Sequence, residues 1–265
     1  MRKKVIIGIA LMLLLFIFVS SYTLKAQEVV DIAVISVTPS TNAVLQGEVL
    51  TIEVLIENQG TEVASKFYVT VLVDTEIIGE HFVKGNEALR SGEVLSITFE
   101  WDTTSFAAGD HTISANADVL PGEIDTADNT YIDGVVRVNV RDVAVISITV
   151  GPTSFPQGTM VGIVVRVRNK GTLSETFNVT VYYDETEIES RSTSMSSGQS
   201  GDLYFFWLTG KVAPGTYTIK TVADVVPEEK DTSDNTKVDG TVTVSERLKA
   251  RGSAQIVFDM PDVLG

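Results

Sequence analysis

The sequence predicts an all-β protein made of two tandem antiparallel sandwiches. Three observations carry that prediction: a domain-length duplication, apolar and polar residues alternating with period two, and turn residues set between the alternating runs. Segments 31–140 and 142–244 are two copies of one unit. Between Gly109 and Asn139, set against Gly215 to Ser245, 17 of 31 positions are identical at a constant offset of 106. A solenoid repeat is shorter, whereas this unit has the size of a whole domain.

Each run then reads as a strand with one buried face. In the first copy Leu50, Ile52, Val54 and Ile56 share a face, with Thr51, Glu53 and Glu57 opposite. The second copy repeats the pattern with Val161, Ile163, Val165 and Val167. The next run is Phe67, Val69, Val71 and Val73, matched by Phe177, Val179, Val181 and Tyr183. A later one carries Leu95, Ile97, Phe99 and Trp101, matched by Leu203, Phe205 and Trp207, so both tryptophans are assigned to the core. Between the runs lie Asn58-Gln59-Gly60 and Asn169-Lys170-Gly171, Pro121-Gly122, and Asp133-Gly134 with Asp239-Gly240, all read as turns. About seven short strands per copy make an antiparallel sandwich.

Gly215-Thr216-Tyr217 opens a strand with Tyr217, Ile219 and Ala223 inward. This is the pattern of the tyrosine corner, in which a hydroxyl bonds back to the chain, and it makes the sandwiches immunoglobulin-like. In the first copy His111 takes that place. A last strand through Val136, Val138 and Val140 is separated from Asp142-Val-Ala-Val by Arg141 alone, so few torsions are free between the copies.

Ahead of the repeats, residues 1–26 have the layout of a secretory signal helix. Arg2-Lys3-Lys4 precedes an apolar run from Val5 to Val19, short for a membrane span. Cleavage sites stand after Ser21 or Ala26, and an uncleaved anchor is the alternative. Both place the repeats outside the cytoplasm, with membrane contact only through this segment. The chain has no cysteine, which excludes thiol catalysis, thiolate metal sites and a lipidated cysteine. The net charge is −15, and leaving out the four bases of the first 26 residues leaves 16 bases against 35 acids, or −19. Such a surface repels nucleic acid and anionic headgroups and suits a soluble surface protein.

The motifs of the two copies together resemble a known family. Asp31-Ile-Ala-Val with Asp142-Val-Ala-Val, Glu57-Asn-Gln-Gly60 with Arg168-Asn-Lys-Gly171, and Phe99-Glu-Trp101 with Phe205-Phe-Trp207 look like the CARDB domain, the cell-adhesion-related domain of bacteria, also found in archaea. Ala117-Asp-Val119 with Ala223-Asp-Val225 and Asp125-Thr-Ala-Asp-Asn129 with Asp231-Thr-Ser-Asp-Asn235 extend the resemblance over nearly all of both copies. It implies an immunoglobulin-like sandwich in exported surface proteins, often as a repeated module.

The acidic loop late in each copy is the candidate metal site: Asp125, Asp128 and Asn129, with Asp231, Asp234 and Asn235. Calcium takes six to eight oxygens from carboxylates, amides and carbonyls, and this loop offers several. The same residues also bond their own backbone and shape hairpins. No cofactor is required by any motif. Tyr182, Tyr204 and Phe206 have outward parity and are candidates for binding a glycan or a partner protein, while their first-copy counterparts are Leu72, Thr98 and Glu100. Asn178-Val-Thr180 is the one glycosylation sequon, and Asn178 has outward parity. Only His81 and His111 could serve as catalytic histidines, and no nucleophile motif accompanies them, so no catalytic residue is assigned. In the tail, 245–265, Ile256, Phe258 and Met260 alternate, as would a strand donated to a neighbour's sheet edge. The expected function is a non-enzymatic surface adhesion or structural module that binds other surface proteins or glycans. A self-associating polymer subunit and an accessory domain of a secreted hydrolase are the alternatives.

Overall fold

A computed structural model describes residues 29–247. The signal helix expected over 1–26 and the donated strand expected in the tail lie outside the described residues. Among the described residues no helix is long and apolar enough to cross a membrane.

The first copy contains β1 (Ile32–Pro39), β2 (Ala43–Leu45), β3 (Val49–Asn58), β4 (Phe67–Val73), β5 (Glu76–Val83), β6 (Val94–Asp102), β7 (Gly109–Ala117) and β8 (Thr130–Asn139). They form one sheet ordered β1-β3-β6 and another ordered β2-β8-β7-β4-β5. The second copy repeats this with β9 (Val143–Gly151), β10 (Ser154–Pro156), β11 (Met160–Asn169), β12 (Glu175–Tyr183), β13 (Thr186–Met195), β14 (Ser200–Leu208), β15 (Gly215–Ala223) and β16 (Thr236–Ser245). Its sheets run β14-β11-β9 and β10-β16-β15-β12-β13. Every position assigned inward on β3, β4, β11 and β12 is buried except Tyr183, which packs on the core from its rim. A strand's period of two explains why so simple a pattern places them: alternate side chains enter the same space between the sheets.

The structure corrects the sequence reading in three places. The sandwich is not wholly antiparallel, because β2 pairs with β8 and β10 with β16 in parallel. These strands form where the chain leaves one sheet after β1 or β9 and joins the other. Three residues are too few to show a period, and their partners stand about ninety positions away. Asp133-Gly134 and Asp239-Gly240 are not turns but lie inside β8 and β16. In β16 the pairing passes from Ile219↔Gly240 to Lys220↔Val238, so Asp239 is the extra residue of a bulge. Gly240 supplies the positive φ (121°) that the bulge needs. Finally, residues 140–142, rather than Arg141 alone, separate β8 from β9.

The Asn-x-Gly motifs do more than turn the chain. Asn58 and Asn169 are fully buried. Asn169 Nδ2 donates to the carbonyls of Leu173 (2.7 Å) and Met195 (3.0 Å), and its Oδ1 accepts from Gly171 N (2.9 Å). Asn58 makes the same three bonds with Glu62, Leu89 and Gly60. The glycine is required by close approach: a Cβ on Gly171 would stand 2.7 Å from the carbonyl oxygen of Val140, and one on Gly60 2.4 Å from that of Val29.

The tyrosine corner forms as expected. Tyr217 Oη donates to the carbonyl of Ala213 (2.7 Å), and its ring meets Trp207 and Tyr183 edge-on. His111 replaces it in the first copy, edge-on to Trp101, with Nδ1 2.8 Å from Asp74 Oδ2. That bond, followed by the one accepted from Thr112 N, holds the Asp74 carboxyl below its ordinary value. An acid lowered on folding stabilises the fold above its unfolded value of about 3.9, and the contribution is lost as pH falls through the lowered one. The penalty of Asp74→Asn is therefore expected to be larger at pH 6 than at pH 2. Urea midpoints of the two proteins at both pH values measure it, and a gap that does not narrow would contradict the sign.

Candidate functional site

Asp125 and Asp231 are exposed and serve their own loops. Asp125 Oδ1 accepts from Ala127 N (3.1 Å), and Asp231 Oδ1 accepts from the N (3.1 Å) and Oγ (2.6 Å) of Ser233. These are Asx turns. The bonds from Ser233 hold the Asp231 carboxyl below its ordinary value. Asn129 and Asn235, by contrast, are buried. Asn235 Nδ2 donates to Glu229 Oε2 (3.1 Å), as Asn129 Nδ2 does to Glu123 Oε1 (3.1 Å).

Those two glutamates, which the sequence reading passed over, clasp the loop to the sandwich. Glu229 also accepts from Val143 N (2.7 Å) at the start of β9 and from Val226 N (2.9 Å). Glu123 does the same with Ile32 N (2.7 Å) and Leu120 N (2.6 Å). A carboxylate suits the position because it only accepts, with lone pairs enough for three donors. The recurrence of Pro-x-Glu at Pro121 and Pro227 was the available signal. On the other side of the loop, Val34 N donates to Asp128 O, and Val145 N to Asp234 O.

Asp31 and Asp142 join the clusters from the residue before the first strand of each copy. Asp31, Asp128 and Asn129 each keep a buried Oδ1 that finds no hydrogen-bond donor among the described residues, and so do Asp142, Asp234 and Asn235. Desolvation, then the neighbouring carboxylates, raises the Asp31 carboxyl, with Asp128 the largest of those neighbours. Desolvation also raises Asp128 and Asp142. The copies differ in the charge beside these aspartates. Lys170 Nζ lies 2.8 Å from Asp234 Oδ2 and 3.3 Å from Asp142 Oδ2, and chiefly the bond to Asp234 raises the ammonium above its ordinary value. The first copy has Gln59 there, exposed and turned to Glu57 (3.5 Å). Among the described residues no group of three or more His, Asp or Glu side chains is arranged to hold a metal ion by itself.

The aromatic candidates separate. Tyr204 (57% exposed) and Phe206 (50%) lie on the outer face of β14, beside Leu208 (71%). The register sets Leu208 opposite Met160 (62% exposed), Phe206 opposite Gly162, and Tyr204 opposite Val164. A Cβ on Gly162 would meet nothing within 4 Å, so the space over that residue is open. Tyr182 belongs to the other sheet, where Lys220 Nζ lies 5.3 Å from its ring centre. The matching pairs of the first copy are Val49 with Asp102, Thr51 with Glu100 and Glu53 with Thr98. Five of those six residues are polar, so the apolar face is peculiar to the second copy and not required by the fold.

The CARDB family model matches residues 30–131 and again 141–239, more than half of the chain. This chain belongs to the CARDB family. No match was found among curated proteins. A CARDB domain from Pyrococcus furiosus, solved in solution, is 22% identical over 42% of this chain and 97% of its own, with a TM-score of 0.37. The crystal structure of a CARDB domain from the same organism, in complex with di-metal ions, is 23% identical over 41% of this chain and 96% of its own, with a TM-score of 0.36. A domain from Methanosarcina acetivorans, of a protein whose name places it at the cell surface, is 24% identical over 41% of this chain and 95% of its own, with a TM-score of 0.33.

In these CARDB copies the two histidines are held by carboxylates, His81 by Glu87 (3.0 Å) and His111 by Asp74. Asn178 is exposed on β12, with its Nδ2 donating to Asp224 Oδ2 (2.9 Å), a bond that a glycan on that nitrogen would replace.

Proposed function

We propose that this protein is an exported, non-enzymatic surface module whose second CARDB copy binds another surface protein through the outer face of β11 and β14. The observation that carries this reading is the contrast between equivalent faces. Where the first copy has Thr98, Glu100 and Asp102, the second exposes Tyr204, Phe206 and Leu208, and Met160 lies beside them where the first copy has Val49. Contiguous apolar surface on an otherwise strongly acidic protein costs solubility and marks interaction sites. Leu208 and Met160 favour a protein partner over a glycan, since a sugar stacks on aromatic rings framed by hydrogen-bonding groups. The signal-like N-terminus and the acidic charge support a place outside the cytoplasm.

Binding of the labelled protein to intact cells of its source, and to those cells after surface proteolysis, tests the reading. Phe206→Ala is expected to weaken binding at least tenfold, as loss of a central aromatic anchor does, without moving the urea midpoint. Proteolysis of the cells should abolish binding. Unchanged binding by Phe206→Ala removes the face from consideration, and binding that survives proteolysis points to a glycan.

A further inference from the structure

We infer that the first CARDB copy binds a divalent cation of the calcium type at Asp31, Asp128 and Asn129, and that in the second copy the Lys170 ammonium, paired with both aspartates, excludes it by its charge. The inference is independent of the binding face on β11 and β14.

Three features of the loop converge on a cation. First, Asn129 is 3% exposed, and its orientation is determined: Glu123 can only accept, so the Asn129 Nδ2 faces it and the Oδ1 is turned away, buried and without a donor. Second, the Asp31 and Asp128 carboxyls each add a buried Oδ1 with no donor, and Asp128 is the largest of the charges acting on Asp31. Acceptors left without a donor in a partly desolvated loop are costly unless a cation, a proton or a water meets them. Third, the second copy keeps the two aspartates, the asparagine and the glutamate clasp with the same three Oδ1 atoms lacking a donor, and there one ammonium balances both carboxylates through their Oδ2 atoms. Gln59 in place of Lys170 leaves the first copy with the same oxygens and no such charge.

The chemistry of the donors selects the ion. Two carboxylates and an amide are hard oxygen ligands, suited to calcium and not to zinc or copper. They supply fewer than the six to eight oxygens calcium takes, so carbonyls and water complete the shell. Affinity then falls in the weak range of extracellular modules, about 10⁻⁴–10⁻³ M.

Exchanging the residue types at positions 59 and 170 tests the idea in both directions. Equilibrium dialysis with radioactive calcium, at free concentrations up to about 10 mM so as to exceed that range, should give one ion per wild-type protein. Gln59→Lys should give none, and Lys170→Gln should give two. Asp128→Asn is a second route to loss in the first copy should Gln59→Lys fold poorly, with far-ultraviolet circular dichroism confirming the fold of each variant. No binding by wild type, or retention of the ion by folded Gln59→Lys or Asp128→Asn, overturns the site. A folded Lys170→Gln that gains no ion overturns the exclusion by the lysine.

Discussion

Glu229→Ala is expected to destabilise the second sandwich by about 4 kcal/mol, a large part of the 5–15 kcal/mol typical of a domain. Glu229 is 9% exposed and accepts three hydrogen bonds, from Val143 N, Val226 N and Asn235 Nδ2. Bonds to a charged acceptor contribute roughly 1.5–3 kcal/mol each, and a buried donor left without a partner costs about 1–3 kcal/mol. Water entering the space left by the side chain recovers part of the sum, which brings the estimate down to about 4 kcal/mol. The effect also spreads. Val143 begins β9, and Asn235 precedes β16, so the clasp joins both sheets to the loop between β15 and β16. Each copy carries one tryptophan, so Trp207 fluorescence in a Trp101→Phe background follows the second sandwich through a urea titration. A fall in midpoint of about 2 M is expected for a typical urea dependence near 2 kcal/mol per molar. A fall of only a few tenths would mean that the clasp is dispensable. Glu123→Ala is expected to cost the first copy less, because Glu123 is only half-buried.

Asn169→Ala is expected to cost the same sandwich about 3 kcal/mol. Asn169 is fully buried and ties three backbone groups together: Leu173 O, Met195 O and Gly171 N. Alanine leaves both carbonyls without these donors and opens a small cavity. The amide of Gly171 is less affected, since it also donates to Asp142 O (3.1 Å). Asn169→Asp separates shape from donation. It keeps the volume but turns an acceptor toward two carbonyl oxygens, so it is expected to be at least as damaging as alanine. The same fluorescence titration reads both variants. An Asn169→Asp protein as stable as wild type would show that filling the space, rather than donating into it, is what the position requires.

Much of the fold was legible because it depends on local periodicity. Val161, Ile163, Val165 and Val167 lie inward because a strand turns every second side chain to one side, and no distant partner needs to be known to read that. Trp101 and Trp207 followed from the same parity, and the hydroxyl bond of Tyr217 followed from its place at the start of a strand. The bulge at Asp239-Gly240 was misread because aspartate and glycine serve a bulge and a hairpin turn equally well. Only the partner strand, counted from Ile219 to Lys220, tells them apart.

The acidic loop was legible in composition but not in its division of labour. The sequence by itself determined that Asp125, Asp128 and Asn129 recur as Asp231, Asp234 and Asn235, that Tyr204 and Phe206 point outward, and that the copies are β-sandwiches. These follow from short-range spacing. Tertiary structure alone decided that Asp125 serves its own turn, that Asp31 and Glu123 complete the cluster, and that Lys170 reaches two aspartates where Gln59 reaches neither. It also placed Tyr182 on the opposite sheet from Tyr204 and Phe206. Those pairings bring together residues up to about a hundred positions apart, and a strand's period says which side a residue faces but not which strand lies beside it.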